Sequence, residues 1–289
     1  MAKEMYRVKR MIEPIIRVYY SLSVFTEGRS LRDKLILFPV GILEVIGYGR
    51  NLMKVPIPPK IKIFAASRLS ANATIKNRDG IFYCRKGRGD ASIAAEGYEH
   101  PLRKYFEEVK SGVFVDIGAN IGKYTVKVAR QMADKGKVVA VEPDPGNFSA
   151  LKTNIELNKL TNVYAFNVAC WNKTQELSLY QSPSWNPGLS SVKEKVSNHF
   201  VKVKGVKLDD ILKGLGIENV NLIKIDAEGA EEEVIQGARG IITKSRHLKV
   251  LFEAWDKEHF EKCKDVLEEC GMAVNKNEIG ADIFLAQKV

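Results

Sequence analysis

The chain has 289 residues, 45% hydrophobic and 28% charged, so it is long enough to bury one large core and too apolar to be disordered. Its net charge of +10 is lopsided: residues 1–70 carry 13 Lys/Arg against 5 Asp/Glu, and the rest of the chain 32 against 30. Four scattered cysteines with no CxxC pair argue against a disulfide framework and a cysteine-rich zinc site.

Residues 1–60 read as a basic, mainly helical extension, with helical segments across Ile12–Met53. Its start, MAKEMYRVKR, has no uninterrupted apolar core behind the basic residues, so no secretory leader is expected and the chain is expected in the cytoplasm. The excess positive charge suits an anionic partner. The run LILFPVGIL, Leu35–Leu43, is flanked by Arg32, Lys34 and Arg50 and is too short to span a bilayer. It reads either as a helix packed on the main domain or as a peripheral membrane contact lying in the interface. Pro56, Pro58 and Pro59 mark a boundary near Lys54–Lys62. Residues 61–111 form a lead-in, in which ATIKNRDGIFYC sets Asp79-Gly80 between two strand-like runs and predicts a hairpin.

From 112 to 289 strands and helices alternate. VFVD, KVVAVEP, NVYAFNVA, NLIKIDAEG, LKVLFEAW and DIFLAQ read as strands; Ile121–Ala133, Pro145–Leu160, Ala230–Ile242 and His259–Cys270 read as helices. ELSLY and FVKVKGVKL read as excursions. The fold class is α/β, with a mostly parallel central sheet flanked by helices. Ligands of such sheets bind beyond the carboxyl ends of the strands, at the topological switch point.

The first strand of the alternation leads into VDIGANIG. Gly118 and Gly122 stand where glycine permits a tight turn and close approach of a ligand. Their spacing is GxxxG, so the dinucleotide fingerprint is incomplete, and no Gly-Lys-Ser/Thr makes a P-loop. Asp116 is placed to hold the turn or a cationic group of a ligand. Glu142 closes the next strand, where a carboxylate can accept both ribose hydroxyls of a nucleoside. A nucleoside with no pyrophosphate and a positive charge points to S-adenosyl-L-methionine. The plain alternative is a structural turn and a surface carboxylate.

The stretches VDIGANIGKYTV, VVAVEPDPGNFSALKTNIELNKLTNV, VKLDDIL and LIKIDAEGAEEEVIQGA resemble the FkbM family of S-adenosylmethionine-dependent methyltransferases, over roughly Tyr98 to Ile242. The resemblance implies a Rossmann-like methyltransferase fold and methyl transfer to a hydroxyl oxygen of a sugar, glycan or other small molecule. It implies that Gly118, Ala119 and Asn120, in the turn ending at Gly122, line the methionine part of the cofactor. Glu142 would grip the ribose, Pro143 and Asp144 would flank the adenosine, and Asn167, Val168 and Ala169 would hold the adenine. Asp226 would face the methyl-transfer centre, and Glu99, in GYEHPL, would lie near the cofactor.

Methyl transfer from a sulfonium is an in-line displacement helped by alignment and by a base for the hydroxyl proton. Asp226, Glu228 and Glu253 are the candidate bases. In the alternative, Asp226 only orients the cofactor and Glu228 caps the following helix. No metal is expected, because Asp226, Glu228 and Glu231 have no histidine ligand set beside them. Lys224 is given no catalytic role, and His259 an ordinary one. Gln181–Val192 reads as a loop over the acceptor, with Trp185 stacking on a sugar ring or simply packing, and Ser190 or Ser191 bonding hydroxyls. Two other functions stay open: methylation of an RNA 2′-hydroxyl, attracted by the basic N-terminus, and an inactive cofactor-binding partner subunit.

Overall fold

The computed structural model describes residues 26–38, 42, 72–181, 190–276, 279 and 282–288. They fall into two compact units, one from the first hundred residues and one comprising Pro101–Pro183 and Leu189–Val289. The prolines expected to mark a boundary lie outside the described residues, as does most of the helical reading of Ile12–Met53.

In the first unit, β1 (Ala73–Lys76) and β2 (Ile81–Cys84) form the expected antiparallel hairpin, paired from Ala73↔Cys84 to Lys76↔Ile81. Its turn is closed by Asn77, whose side-chain oxygen accepts from the backbone N–H groups of Asp79 and Gly80. That is the local side-chain bonding that makes Asn a turn former. Residues 31–38 form a helix beside it, and α1 (Asp90–Ala94) follows.

The second unit opens with α2 (Arg103–Glu108), which packs on α3 (Lys123–Met132). Its sheet runs in the order β11 (Met272–Val274), β12 (Ile283–Lys288), β10 (Lys249–Glu253), β9 (Leu222–Ile225), β3 (Gly112–Ile117), β4 (Gly136–Val141) and β5 (Val163–Phe166). The central strands are β3 (Gly112–Ile117), β4 (Gly136–Val141), β9 (Leu222–Ile225) and β10 (Lys249–Glu253). Among themselves and with β5 (Val163–Phe166) they make only parallel pairs. All four residues of β9 and the last four of β4 are buried, as strands covered on both faces require. The crossover helices α3 (Lys123–Met132) and α4 (Pro145–Leu157) join β3, β4 and β5 on one side. The chain then returns to β9 on the other side of β3, so the switch point lies beyond the carboxyl ends of β3 and β9.

The structure differs from the expected elements at five places. The excursions become a second sheet, in which β8 (Phe200–Val206) pairs antiparallel with β7 (Gln175–Tyr180) and parallel with the short β6 (Ala169–Cys170). The expected last strand, β12 (Ile283–Lys288), runs antiparallel between β10 and β11 (Met272–Val274). A three-residue strand such as β11 has too little alternation to be read from sequence. VKLDDIL contributes a helix, α5 (Leu208–Gly214). The helix expected over Ala230–Ile242 is two helices, α6 (Glu231–Gly237) and α7 (Arg239–Lys244). Asp209 of α5 makes the break, because its carboxylate accepts from the N–H groups of Gly240 and Ile241 and caps α7 from outside. The last helix, α8 (Lys257–Glu269), begins two residues early and packs on α6 and β11. All four cysteines are buried free thiols, and among the described residues no helix is long and apolar enough to cross a membrane.

Candidate active site

The turn after β3 has three left-handed residues, Gly118 (φ 72°), Asn120 (φ 51°) and Gly122 (φ 86°). Its glycines are required by the chain itself. A Cβ on Gly118 would lie 1.8 Å from the carbonyl oxygen of Asp226, and one on Gly122 would lie 2.5 Å from Leu151 Cδ1. Gly118 and Ala119 both donate N–H to the Val141 carbonyl, and Asp226 donates to Ile117. The absent side chains therefore let the ends of β3 and β9 approach and seat α4, in addition to leaving the Asn120 backbone turned toward β4.

That backbone meets Glu142, the buried carboxylate just after β4. Glu142 Oε2 accepts from the Asn120 N–H at 2.8 Å and Oε1 from the Asp144 N–H at 2.9 Å. Burial pushes its carboxyl up to about 7. Asn167, after β5, donates to the carbonyls of Glu142 and Pro143 and ties the two strand ends together. Asp144 is buried: Oδ1 caps α4 through Gly146 and Asn147, and Oδ2 accepts from Gln181. The half-buried Val168 packs on the main core, and Ala169 packs against Leu179 and Val203 of the second sheet.

Asp116 is buried one residue before the end of β3, rather than at its end. Thr125 donates to its Oδ2 at 2.6 Å, and its buried Oδ1 has no hydrogen-bond partner. Burial raises its pKa, opposed by Lys224, which faces it in register on β9. Lys224 is itself buried, donates to Asp226 Oδ2 at 2.9 Å and lies 5.5 Å from the Tyr124 ring centroid.

Beyond β9 and β10 the three candidate bases come together. Burial pushes Glu228 up to about 9, with repulsion from Asp226, Glu253 and Glu231 adding to it. Glu253, the last residue of β10, is pushed up to about 8 by burial and by the charges of Asp226 and Glu231. The alternative role of Glu228 as a helix cap is not what the structure shows. Glu228 sits at φ 51° in the turn before α6, and its carbonyl accepts from the Ser191 hydroxyl at 2.8 Å.

The turn is closed by Glu231. This fully buried carboxylate accepts from the N–H groups of Ala227 (2.7 Å) and Gly229 (3.1 Å), and His259 Nε2 stands 3.1 Å from Oε2. Glu231 raises the His259 pKa. Trp255 lies over Gly229, where a Cβ would be 3.3 Å from its ring, and meets His259 edge-on. Glu231, His259 and Trp255 were not assigned site roles from sequence. A glutamate shortly after a glycine turn is a local signal that could have found Glu231. His259 and Trp255 arrive from α8 and the end of β10, so no local pattern pairs them with the turn.

Glu99 belongs to the first unit, at φ 45°. Trp185 lies outside the described residues. Ser191 has no proton to offer an acceptor, since its hydroxyl donates to Glu228 and accepts from the N–H groups of Lys193 and Glu194. Among the described residues no group of three His, Cys, Asp or Glu is placed to hold a metal ion.

A family model described as the methyltransferase FkbM domain matches residues 116–273, which runs from Asp116 through the acidic cluster to β11. Methyltransferase 1 of Beauveria bassiana is 31% identical over 183 residues, covering 55% of this chain and 72% of its own. The 2-O-methyltransferase NoeI of Sinorhizobium fredii is 26% identical, covering 52% of this chain and 65% of its own. The hexuronic acid methyltransferase AglP of Haloferax volcanii is 26% identical, covering 61% and 67%. The chain therefore spans about two thirds of the length of these relatives. With the glycine turn, the buried Glu142 and the Asp226–Glu231 turn all inside the matched segment, the chain is a methyltransferase of the FkbM family.

Proposed function

We propose that the chain transfers a methyl group from S-adenosyl-L-methionine to a hydroxyl of a sugar-type acceptor. One observation carries this reading: a cluster of carboxylates, two of them raised to about 9 and about 8, at the switch point beside a buried glutamate suited to a ribose. The names of two relatives, a 2-O-methyltransferase and a hexuronic acid methyltransferase, support the oxygen and sugar parts of it.

The residues present fit the donor. Each Glu142 oxygen accepts one backbone N–H and keeps a lone pair for a ribose hydroxyl. The carboxylate of Asp226 and the ionisable Glu228 and Glu253 suit a sulfonium cation, whose charge favours their ionised forms, and the unpartnered Asp116 Oδ1 is a further acceptor near the turn. When bound, S-adenosyl-L-methionine supplies a methyl group on a leaving thioether. The chain's part is to hold the acceptor and take its proton. Glu253 or Glu228 accepts that proton in its charged form, while Lys224 holds Asp226 in place. Glu231 fixes the turn that carries Glu228, so the base is positioned before the acceptor arrives.

The test is calorimetric titration with S-adenosyl-L-methionine, followed by a methyl-transfer screen on uronic acids and neutral sugars. Wild type is expected to bind, and Glu142→Ala to bind roughly 10–100-fold more weakly through loss of two charge-assisted hydrogen bonds. Unchanged affinity in Glu142→Ala would remove the ribose role, and methylation only of non-hydroxyl acceptors would remove the oxygen chemistry.

A further inference from the structure

The helix over 31–38 is turned the wrong way for a core helix. Its N-terminus is closed by a reciprocal cap: the N–H and hydroxyl of Ser30 donate to Asp33 Oδ2 at 3.0 and 2.7 Å, and the Asp33 N–H donates to Ser30 Oγ at 3.1 Å. The other Asp33 oxygen accepts from the Thr74 N–H of β1 at 3.1 Å. Around it, Arg29 donates to the Thr74 carbonyl, Lys76 donates to Glu27, and Gly28 bridges Ile75. Gly28 admits this close docking, since a Cβ there would lie 2.6 Å from Lys34 N. These bonds set the rotation of the helix on the hairpin. Asp33 and Leu37 face inward, and Leu37 is fully buried. Leu31 and Leu35, one turn apart, face out at 75% and 66% exposure. Phe38, three residues after Leu35, is 49% exposed, and Ile42 is 37% exposed.

An amphipathic helix ordinarily turns its apolar row to the core. Here a row of large apolar side chains points to solvent, and its rim is basic. Arg29 and Arg32 are exposed beside it, whereas Glu27 and Asp33, the acids of residues 26–38, are both buried. Residues 1–70 as a whole, these included, carry 13 basic against 5 acidic side chains. Apolar row and positive rim together match an anionic bilayer surface, where leucines enter the acyl boundary and Arg/Lys meet lipid phosphates. We infer that the first unit docks on an anionic membrane, with Leu31 and Leu35 inserted and Arg29 and Arg32 at the headgroups. Two helical turns cannot span the bilayer, so the contact is peripheral.

The experiment is co-sedimentation of the full chain with phosphatidylcholine vesicles, with and without about a third phosphatidylserine. The chain is expected to pellet with the anionic vesicles and stay in solution with the neutral ones. Leu31→Glu/Leu35→Glu is expected to lower the partition coefficient at least about tenfold. Arg29→Glu/Arg32→Glu is expected to weaken binding and to flatten its dependence on salt. Both pairs of positions are exposed, so unchanged thermal melts are expected alongside. Failure to bind anionic vesicles would overturn the proposal, as would binding indifferent to Leu31→Glu/Leu35→Glu. A lipid-indifferent wild-type dimer that the leucine variant converts to monomer would overturn it in favour of a second copy of the chain on this face.

Discussion

Glu228 and Glu253 lie close enough to share the cost of ionisation, so at neutral pH the cluster retains protons that isolated glutamates would have lost. A base must be charged to act. Activity is therefore expected to rise with pH, with kcat/KM bending near 8 to 9 in the free enzyme. Glu253→Gln and Glu228→Gln separate the two. The substitution that removes the base is expected to lower kcat by about 10²–10⁴-fold, leave KM nearly unchanged and flatten the rising limb. If both variants keep kcat within about threefold and the same limb, neither is the base. The identity of these acids was legible in KIDAEGAE and LFEAW, because both sit where strands of a parallel sheet end. Their mutual repulsion was not, since it depends on two strands nearly thirty residues apart in sequence lying side by side.

The turn between β9 and α6 shows what an element contributes beyond its residues. Ala227 and Gly229 would otherwise leave two backbone N–H groups without partners in the interior; Glu231 satisfies both, and His259 of α8 braces it. His259 Nε2 faces Glu231 as a charge partner without hydrogen-bond alignment, so replacing His259 by Ala removes an ion pair from a buried carboxylate and is expected to cost about 1–3 kcal/mol. The sign with pH follows from the raised pKa of His259. The stability it adds is whole below its ordinary value near 6.5 and is lost as pH rises through its higher folded value. Thermal melts should therefore show His259→Ala further below wild type at acid than at alkaline pH. A deficit that grows with pH would refute the pairing. At this scale the sequence was a good guide to the amphipathic α3, to α4 with Pro145 in its first turn, and to the apolar run of β4. It failed where a partner from elsewhere sets the boundary, as Asp209 does in dividing α6 from α7.

Across the whole molecule, Glu142, Glu228 and Glu253 all have folded-state pKa values above their ordinary 4.5. Their protonated forms are favoured by folding, so the stability they add is complete below that value. It is lost as pH rises through about 7 for Glu142 and about 8 to 9 for the other two. Glu228→Gln is accordingly expected to gain stability relative to wild type between about pH 5 and about pH 9, measured by chemical denaturation at each pH. A difference that stays constant across that range would rule out a buried, titrating Glu228. By itself the sequence determined the alternation of strands and helices, the hairpin, the glycine turn and the acidic strand ends, because each is a local consequence of side-chain period, turn chemistry or glycine. The tertiary structure alone decided why Gly118 must be glycine, since the Asp226 carbonyl that excludes a side chain comes from a strand more than a hundred residues later. It likewise decided which carboxylates are buried together and which face of the 31–38 helix meets solvent. Desolvation and close approach are properties of the packed chain, and no local stretch of sequence carries them.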